Sequence, residues 1–417
     1  MTDILQRVIL ENQEMIAHKR LVYRNYSLHE TSHITILTGI RRCGKTYMLY
    51  QIAQGIRIEQ VLFLDFEDER LLPLNSFQSY DIIIDSYKIL FPDVEPVLFF
   101  DEIQNLDKWH LYLKRLHVKG YKIYVTGSNA NLLSREIATY LKGRSFENVI
   151  SPFSFSEFLK LKGIELDEKD PIINQPKILN LFNDYLEYGG FPEVIKATAD
   201  EKRAVAKNIY NLLFYKDLVV KYDKNDYLMK LIVNKIAENI TKDFSITSLA
   251  NKIKPIYNAS VPTITDYFNI LPEPYLTANI YQYRNSFVQR ESKRKTYLTD
   301  NSFIFLNRIA PDRSRLFENL VFNYLQWSHE RIFYYKTNTG KEVDFFINTA
   351  HTKELIQVCY NLESLDTKNR EIVSLMEAMK EQELDTAYVY TYNTSEIIKS
   401  DDKSIKIIPF WKLMLQH

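Results

Sequence analysis

Short, almost wholly apolar runs recur through the first 150 residues, and they alternate with stretches whose apolar positions fall at helical spacing. Ile34, Ile36 and Leu37 mark the first run, QVLFLDF at 60–66 the second, VLFF at 97–100 the third, YKIYVT at 121–126 the fourth and 145–150 the fifth. Between them, Met48, Leu49, Ile52 and Ala53, then 82–90, then 109–117, read as helices. Ile4, Val8, Ile9, Met15 and Ile16 place another helix ahead of the first strand. Strands apolar on both faces, alternating with helices, predict a parallel, doubly wound α/β sheet that binds its ligand at the carboxyl ends of the strands.

The texture changes at Phe153. Residues 153–225 read as helices broken at Gly189-Gly190-Phe191-Pro192, a small helical lid after the sheet. Over 226–300, short helices at 244–253 and 260–271, a strand near 275–280 and the basic stretch 290–295 predict a winged helix-turn-helix. From 301 to 417 strands and helices mix again, giving a second α/β domain. The expected division is therefore 1–152, 153–225, 226–300 and 301–417.

Composition narrows the partners. A chain of 417 residues with 46% apolar and 25% charged positions is globular and long enough for more than one core. Lys+Arg and Asp+Glu both number 53, so no global field steers the chain to nucleic acid or membrane, and either would have to meet a local patch. For DNA that patch is Lys252, Lys254, Arg290, Lys293, Arg294 and Lys295, which reads equally well as a solvated charged face. Two cysteines, Cys43 and Cys359, fit a reduced, cytoplasmic setting. No basic leader precedes an apolar core, and no run is long enough to cross a bilayer, so neither secretion nor a membrane is expected.

The chemistry concentrates at the strand ends. Gly39-Ile40-Arg41-Arg42-Cys43-Gly44-Lys45-Thr46 fits G-x-x-x-x-G-K-[ST] between a strand and a helix, the signature of a phosphate-binding loop. Its glycines let successive N–H groups face a polyphosphate at a helix N-terminus. Lys45 would reach the β- and γ-phosphates and Thr46 would hold Mg²⁺, with Arg41, Arg42, Cys43 and Tyr47 completing the nucleotide-binding stretch. The third strand ends in Asp101-Glu102, where Asp101 would hold Mg²⁺ and Glu102 would polarise an attacking water. Ser128 and Asn129 follow the fourth strand, placed either for the γ-phosphate and water or as a helix cap. Arg144 precedes the fifth strand and would reach a phosphate in its own or a neighbouring subunit, or form a surface ion pair. The cofactors expected are ATP and Mg²⁺. Arg24 and Tyr26 lie on a segment that could line an adenine site.

Taken together, TGIRRCGKT, FEDE, LFFDEIQN, VTGSNA, LKGR, PFSFSEFL, YGGFPEV, FENLVFNYL and GKEVDFFI resemble the predicted AAA+-type ATPases of bacteria and archaea that carry a C-terminal domain of uncharacterised function. The resemblance covers nearly the whole chain and implies ATP hydrolysis, with a partner protein or DNA met by the C-terminal half and the oligomeric state open. It also implies a C-terminal domain similar to PD-(D/E)XK nucleases, with Glu318 and Asp344 matching two acids. Gln357 stands at the next acid and Cys359 at the lysine, so the resemblance implies a nuclease fold that does not cut, unless Lys341 or Lys353 supplies the base.

Overall fold

The computed structural model describes residues 1–26, 28, 33–74, 80–127, 140, 141, 143–164, 174–284, 286, 292–307, 312–400 and 402–416. The chain forms two compact units: unit 1 is Met1–Pro152 with Glu273–Tyr275, and unit 2 is Phe153–Pro272 with Leu276–His417.

Unit 1 runs α1 (Thr2–His18), β1 (Ile34–Thr38), α2 (Lys45–Gln54), β2 (Val61–Asp65), α3 (Asp81–Leu90), β3 (Val97–Asp101), α4 (Trp109–Val118), β4 (Lys122–Thr126) and β5 (Ser145–Val149). All five strands are parallel, in the order β2-β3-β4-β1-β5. This is the α/β sheet that the apolar pattern predicts. Its core joins Ile34, Ile36, Leu62, Leu64, Leu98, Phe100, Ile123 and Val125 from the strands to Leu5, Val8 and Ile9 of α1 and Tyr112, Leu113 and Leu116 of α4. Such a sheet leaves polar backbone bare along β2, its outer strand, and α1 covers part of it. Asn12 Nδ2 donates to the Phe63 carbonyl at 3.0 Å and Gln13 Nε2 to that of Val61 at 2.9 Å.

Unit 2 begins with α5 (Phe155–Leu161), α6 (Gln175–Tyr188), α7 (Pro192–Lys196) and α8 (Lys202–Leu212), then a π-helical stretch, Leu213–Val220. A capping box starts α5: Glu157 N donates to Ser154 Oγ, and Ser154 N to Glu157 Oε2 at 2.8 Å. There follow α9 (Asp226–Glu238), α10 (Ile246–Ile253), α11 (Val261–Asn269), β6 (Thr277–Gln282), β7 (Arg294–Leu298), α12 (Asn301–Asn307) and α13 (Arg313–Ser328). The chain ends with β8 (Ile332–Lys336), β9 (Glu342–Asn348), β10 (Lys353–Cys359), α14 (Leu365–Gln382), β11 (Thr386–Thr391), β12 (Glu396–Ser400), β13 (Lys403–Pro409) and α15 (Phe410–Leu413).

Eight strands make one mixed sheet, β12-β13-β11-β10-β9-β8-β6-β7. The hairpin β6–β7, which falls in the segment read as a wing, is the outer pair of this sheet, with β6 parallel to β8. Among the helices of 153–225, α6 and α8 pack on α12, and α6 also on α13, of the same unit. Their Gly-Gly break is shaped by Asp300: Gly189 has φ +73°, a side chain there would strike the Asp300 carboxylate, and Gly190 N donates to Asp300 Oδ2 at 2.8 Å.

Candidate nucleotide site

At the carboxyl end of β1 the backbone turns at Gly39 (φ +137°), and Gly44 (φ +105°) caps the start of α2. A Cβ on Gly39 would lie 2.1 Å from the Ile150 carbonyl oxygen, so no other residue fits at this turn without moving backbone. Lys45 is buried and donates from Nζ to the carbonyls of Gly39 (3.0 Å) and Ile40 (3.2 Å), which holds its ammonium inside the loop. Cys43 is fully buried, and burial pushes its thiol above the ordinary range. Arg41 faces Glu67, beyond β2, at 3.5 Å, whereas Tyr47 is exposed with the Lys19 ammonium over its ring. Arg42 adopts a left-handed conformation, φ +68°.

The acids converge from neighbouring strands. Asp101 is buried, 2% exposed, and burial pushes its carboxyl up to about 7 despite hydrogen bonds from Thr126 and from the Thr46 hydroxyl. Thr126, the last residue of β4, ties the two acids together: its Oγ1 donates to Asp101 Oδ1 and accepts from Glu102 N at 2.9 Å. Asp65 ends β2 directly opposite Asp101, and burial raises its carboxyl too. Asp65 and Thr126 are residues that the sequence reading missed; their only signal was position at a strand end. Oxygen donors from Thr46 and from the buried Asp101 carboxylate fit a hard divalent cation such as Mg²⁺.

The other expected residues are placed differently. Ser128 and Asn129 lie outside the described residues. Arg144 sits before β5, at the amino ends of the strands, its carbonyl accepting from Ile34 N at 2.8 Å. That is one strand length, about 16 Å, from the loop of its own chain, so the Gly39–Thr46 loop of the same chain is beyond it. Arg24 is buried behind the loop: Nη1 donates to Cys43 O at 3.2 Å and Nη2 to Pro152 O at 3.4 Å. Tyr26 stacks under its guanidinium at 4.9 Å and hydrogen-bonds Ser151 at 2.8 Å.

Unit 2 holds a separate charged cluster. Lys295 of β7 is 1% exposed and contacts Glu342 Oε1 at 2.8 Å, Asp344 Oδ1 at 3.2 Å and Glu318 Oε1 at 3.3 Å. It cannot also meet DNA phosphates from a surface patch, which corrects its place in that basic set. Arg290 is not among the described residues; Lys254 is exposed; Lys252 donates to Asn239; Lys293 stands 3.7 Å from Asp243; Arg294 lies over the Phe268 and Tyr281 rings. The surrounding carboxylates hold Lys295 well above its ordinary range, and burial pushes Glu318 up to about 8. Gln357 accepts from Asp344 N at 3.2 Å and donates to Glu371 at 2.6 Å, while Cys359 donates to the Asn361 carbonyl. Lys341 pairs with Glu377 and Lys353 bonds the Gln382 carbonyl, so the lysine beside Asp344 is Lys295, from a strand that motif spacing did not point to.

Among the described residues no helix is long and apolar enough to cross a membrane. Residues 31–159 match the family described as an AAA domain, and 179–309 and 313–413 match two domains of unknown function, DUF8612 and DUF4143. An uncharacterized protein of Haemophilus influenzae is 27% identical over 84% of this chain and 88% of its own. Among solved structures, the Walker-type ATPase PABY2304 of Pyrococcus abyssi aligns with 73% of this chain and 95% of its own, at 14% identity and a TM-score of 0.45. PCH-2 of C. elegans aligns with 64% of this chain and 65% of its own at 13% identity and a TM-score of 0.25; neither likeness enters the argument. The uncharacterized protein MJ1544 of Methanocaldococcus jannaschii is 33% identical over 99% of this chain and 96% of its own, and the chain belongs to the family of that protein.

Proposed function

We propose that unit 1 binds ATP with Mg²⁺ and hydrolyses it, and that unit 2 responds to the nucleotide state. The observation that carries this reading is the meeting of the Thr46 hydroxyl, at the start of α2, with the buried Asp101 carboxylate at the end of β3. The loop N–H groups and the start of α2 receive the β- and γ-phosphates, and Lys45 exchanges its two carbonyl partners for phosphate oxygens. Thr46 and Asp101 would hold Mg²⁺, which when bound would supply positive charge against those phosphates. Glu102 takes the proton of the attacking water, its backbone fixed by Thr126.

The test is steady-state ATP hydrolysis by the purified protein, with and without duplex or single-stranded DNA. Lys45→Ala is expected to abolish nucleotide binding, and Glu102→Gln to keep binding while losing at least about a hundredfold in turnover. Unchanged ATP binding by the Lys45 variant would sink the assignment. Stimulation of the Lys45-dependent rate by DNA would favour the nucleotide-regulated DNA-binding alternative; a rate indifferent to DNA would favour a partner protein.

Lys295 beside Glu318 and Asp344 favours a second reading for unit 2, Mg²⁺-dependent phosphodiester cleavage, because it supplies the lysine missing at Cys359. No cleavage of single- or double-stranded DNA or RNA with Mg²⁺ or Mn²⁺ would dismiss it.

A further inference from the structure

The turn after β3 holds a polar contact that the general mechanism does not use. Glu102 is in a left-handed conformation (φ +48°, ψ +47°), a position that a side chain adopts only when its surroundings enforce it. The backbone there is tied on both sides: Glu102 N donates to Thr126 Oγ1, and Glu102 O accepts from Asn105 N at 3.0 Å. Ile103 is wholly buried in the core, and Asn105 Nδ2 reaches the Phe66 carbonyl at 3.3 Å. What remains to be set is the Glu102 carboxylate. Gln104 folds back over the turn and donates from Nε2 to Glu102 Oε2.

The other end of that carboxamide explains why the contact is more than an incidental pairing of neighbours. Gln104 Oε1 is buried and has no hydrogen-bond partner among the described residues. A buried amide oxygen without a donor costs about 1–3 kcal/mol, and turning the amide over would set two oxygens against each other. The amide therefore keeps its orientation for the sake of Glu102 alone.

We propose that Gln104 is the positioning residue for Glu102: its amide fixes one carboxylate oxygen and so aims the other at the attacking water. This rests on the reading of unit 1 as an ATPase with Glu102 as its base. Gln104 thus keeps the base oriented.

The experiment compares ATP hydrolysis by the full chain, wild type and Gln104→Met, which keeps the side-chain length but has no donor, with Gln104→Ala as a second variant. Either variant is expected to lose about tenfold in kcat, a fraction of what a general base contributes, with KM for ATP and nucleotide affinity unchanged. Wild-type kcat in both variants, in a protein whose turnover depends on Glu102, would overturn the role of Gln104 alone. A rise in KM without a fall in kcat would overturn it as well. A wild-type protein with no Lys45-dependent turnover overturns the ATPase reading and this inference with it.

Discussion

Replacing Asp101 by Asn removes a buried charge but leaves an oxygen for the Thr126 hydroxyl, so it isolates the electrostatics of the proposed cation site. Burial moves the Asp101 carboxyl from 3.8 to about 7. At about 1.4 kcal/mol for each pH unit, the ionised carboxylate costs the nucleotide-free fold about 4 kcal/mol. The sign follows from the direction: the folded value is raised, so the stabilisation that comes with the proton is complete below the unfolded value and is lost as pH rises through 7. Between pH 5 and pH 8 the wild type should lose about 3 kcal/mol relative to Asp101→Asn. Chemical denaturation in EDTA at the two pH values, followed by fluorescence of Trp109 in the core of unit 1, measures it. Mg²⁺ with a non-hydrolysable ATP analogue should stabilise the wild type at pH 8 more than the variant. Parallel pH dependence of the two proteins would refute the argument that Asp101 waits, buried and charged, for a cation.

The remaining predictions concern the loop and unit 2. Gly39→Ala should abolish nucleotide binding and cost about 1–3 kcal/mol through backbone strain alone, because its Cβ would meet the Ile150 carbonyl; wild-type affinity in a titration with labelled ATP would contradict this. Lys295→Met should destabilise unit 2 by about 3–5 kcal/mol, since it leaves carboxylates buried without their cation. Glu318→Gln should cost less than Lys295→Met, because Glu342 and Asp344 still pair with the Lys295 ammonium. Equal losses in the two variants, read by thermal melting, would show the cluster to be paired otherwise.

Spacing alone revealed the Gly39–Thr46 loop and the Asp101-Glu102 strand end, because every residue of each motif sits within one strand and its turn. The partners of those residues were hidden for the opposite reason. Thr126 reaches Asp101 only because β4 pairs with β3, a neighbour 25 residues away along the chain. Lys295 is 23 residues from Glu318 and 49 from Asp344, and it meets them through a sheet order in which β7 is the outer strand. Periodicity had already assigned it to a basic surface. Gln104 was in plain view within LFFDEIQN, but its contact depends on the left-handed turn at Glu102, which the residue types do not announce.

The close approach of Gly39 to Ile150 makes the loop and the last residues of unit 1 one mechanical piece. Ile150 N donates to Thr38 O at 2.7 Å, the Ile150 carbonyl leaves no room above Gly39, and the Arg24 guanidinium grips the Cys43 and Pro152 carbonyls together. A phosphate that pulls the loop by a few tenths of an ångström must therefore drag residues 150–152 as well. Under the proposed nucleotide binding, that strain would be delivered, like the throw of a lever, to Pro152, the last residue of unit 1 before the chain enters unit 2.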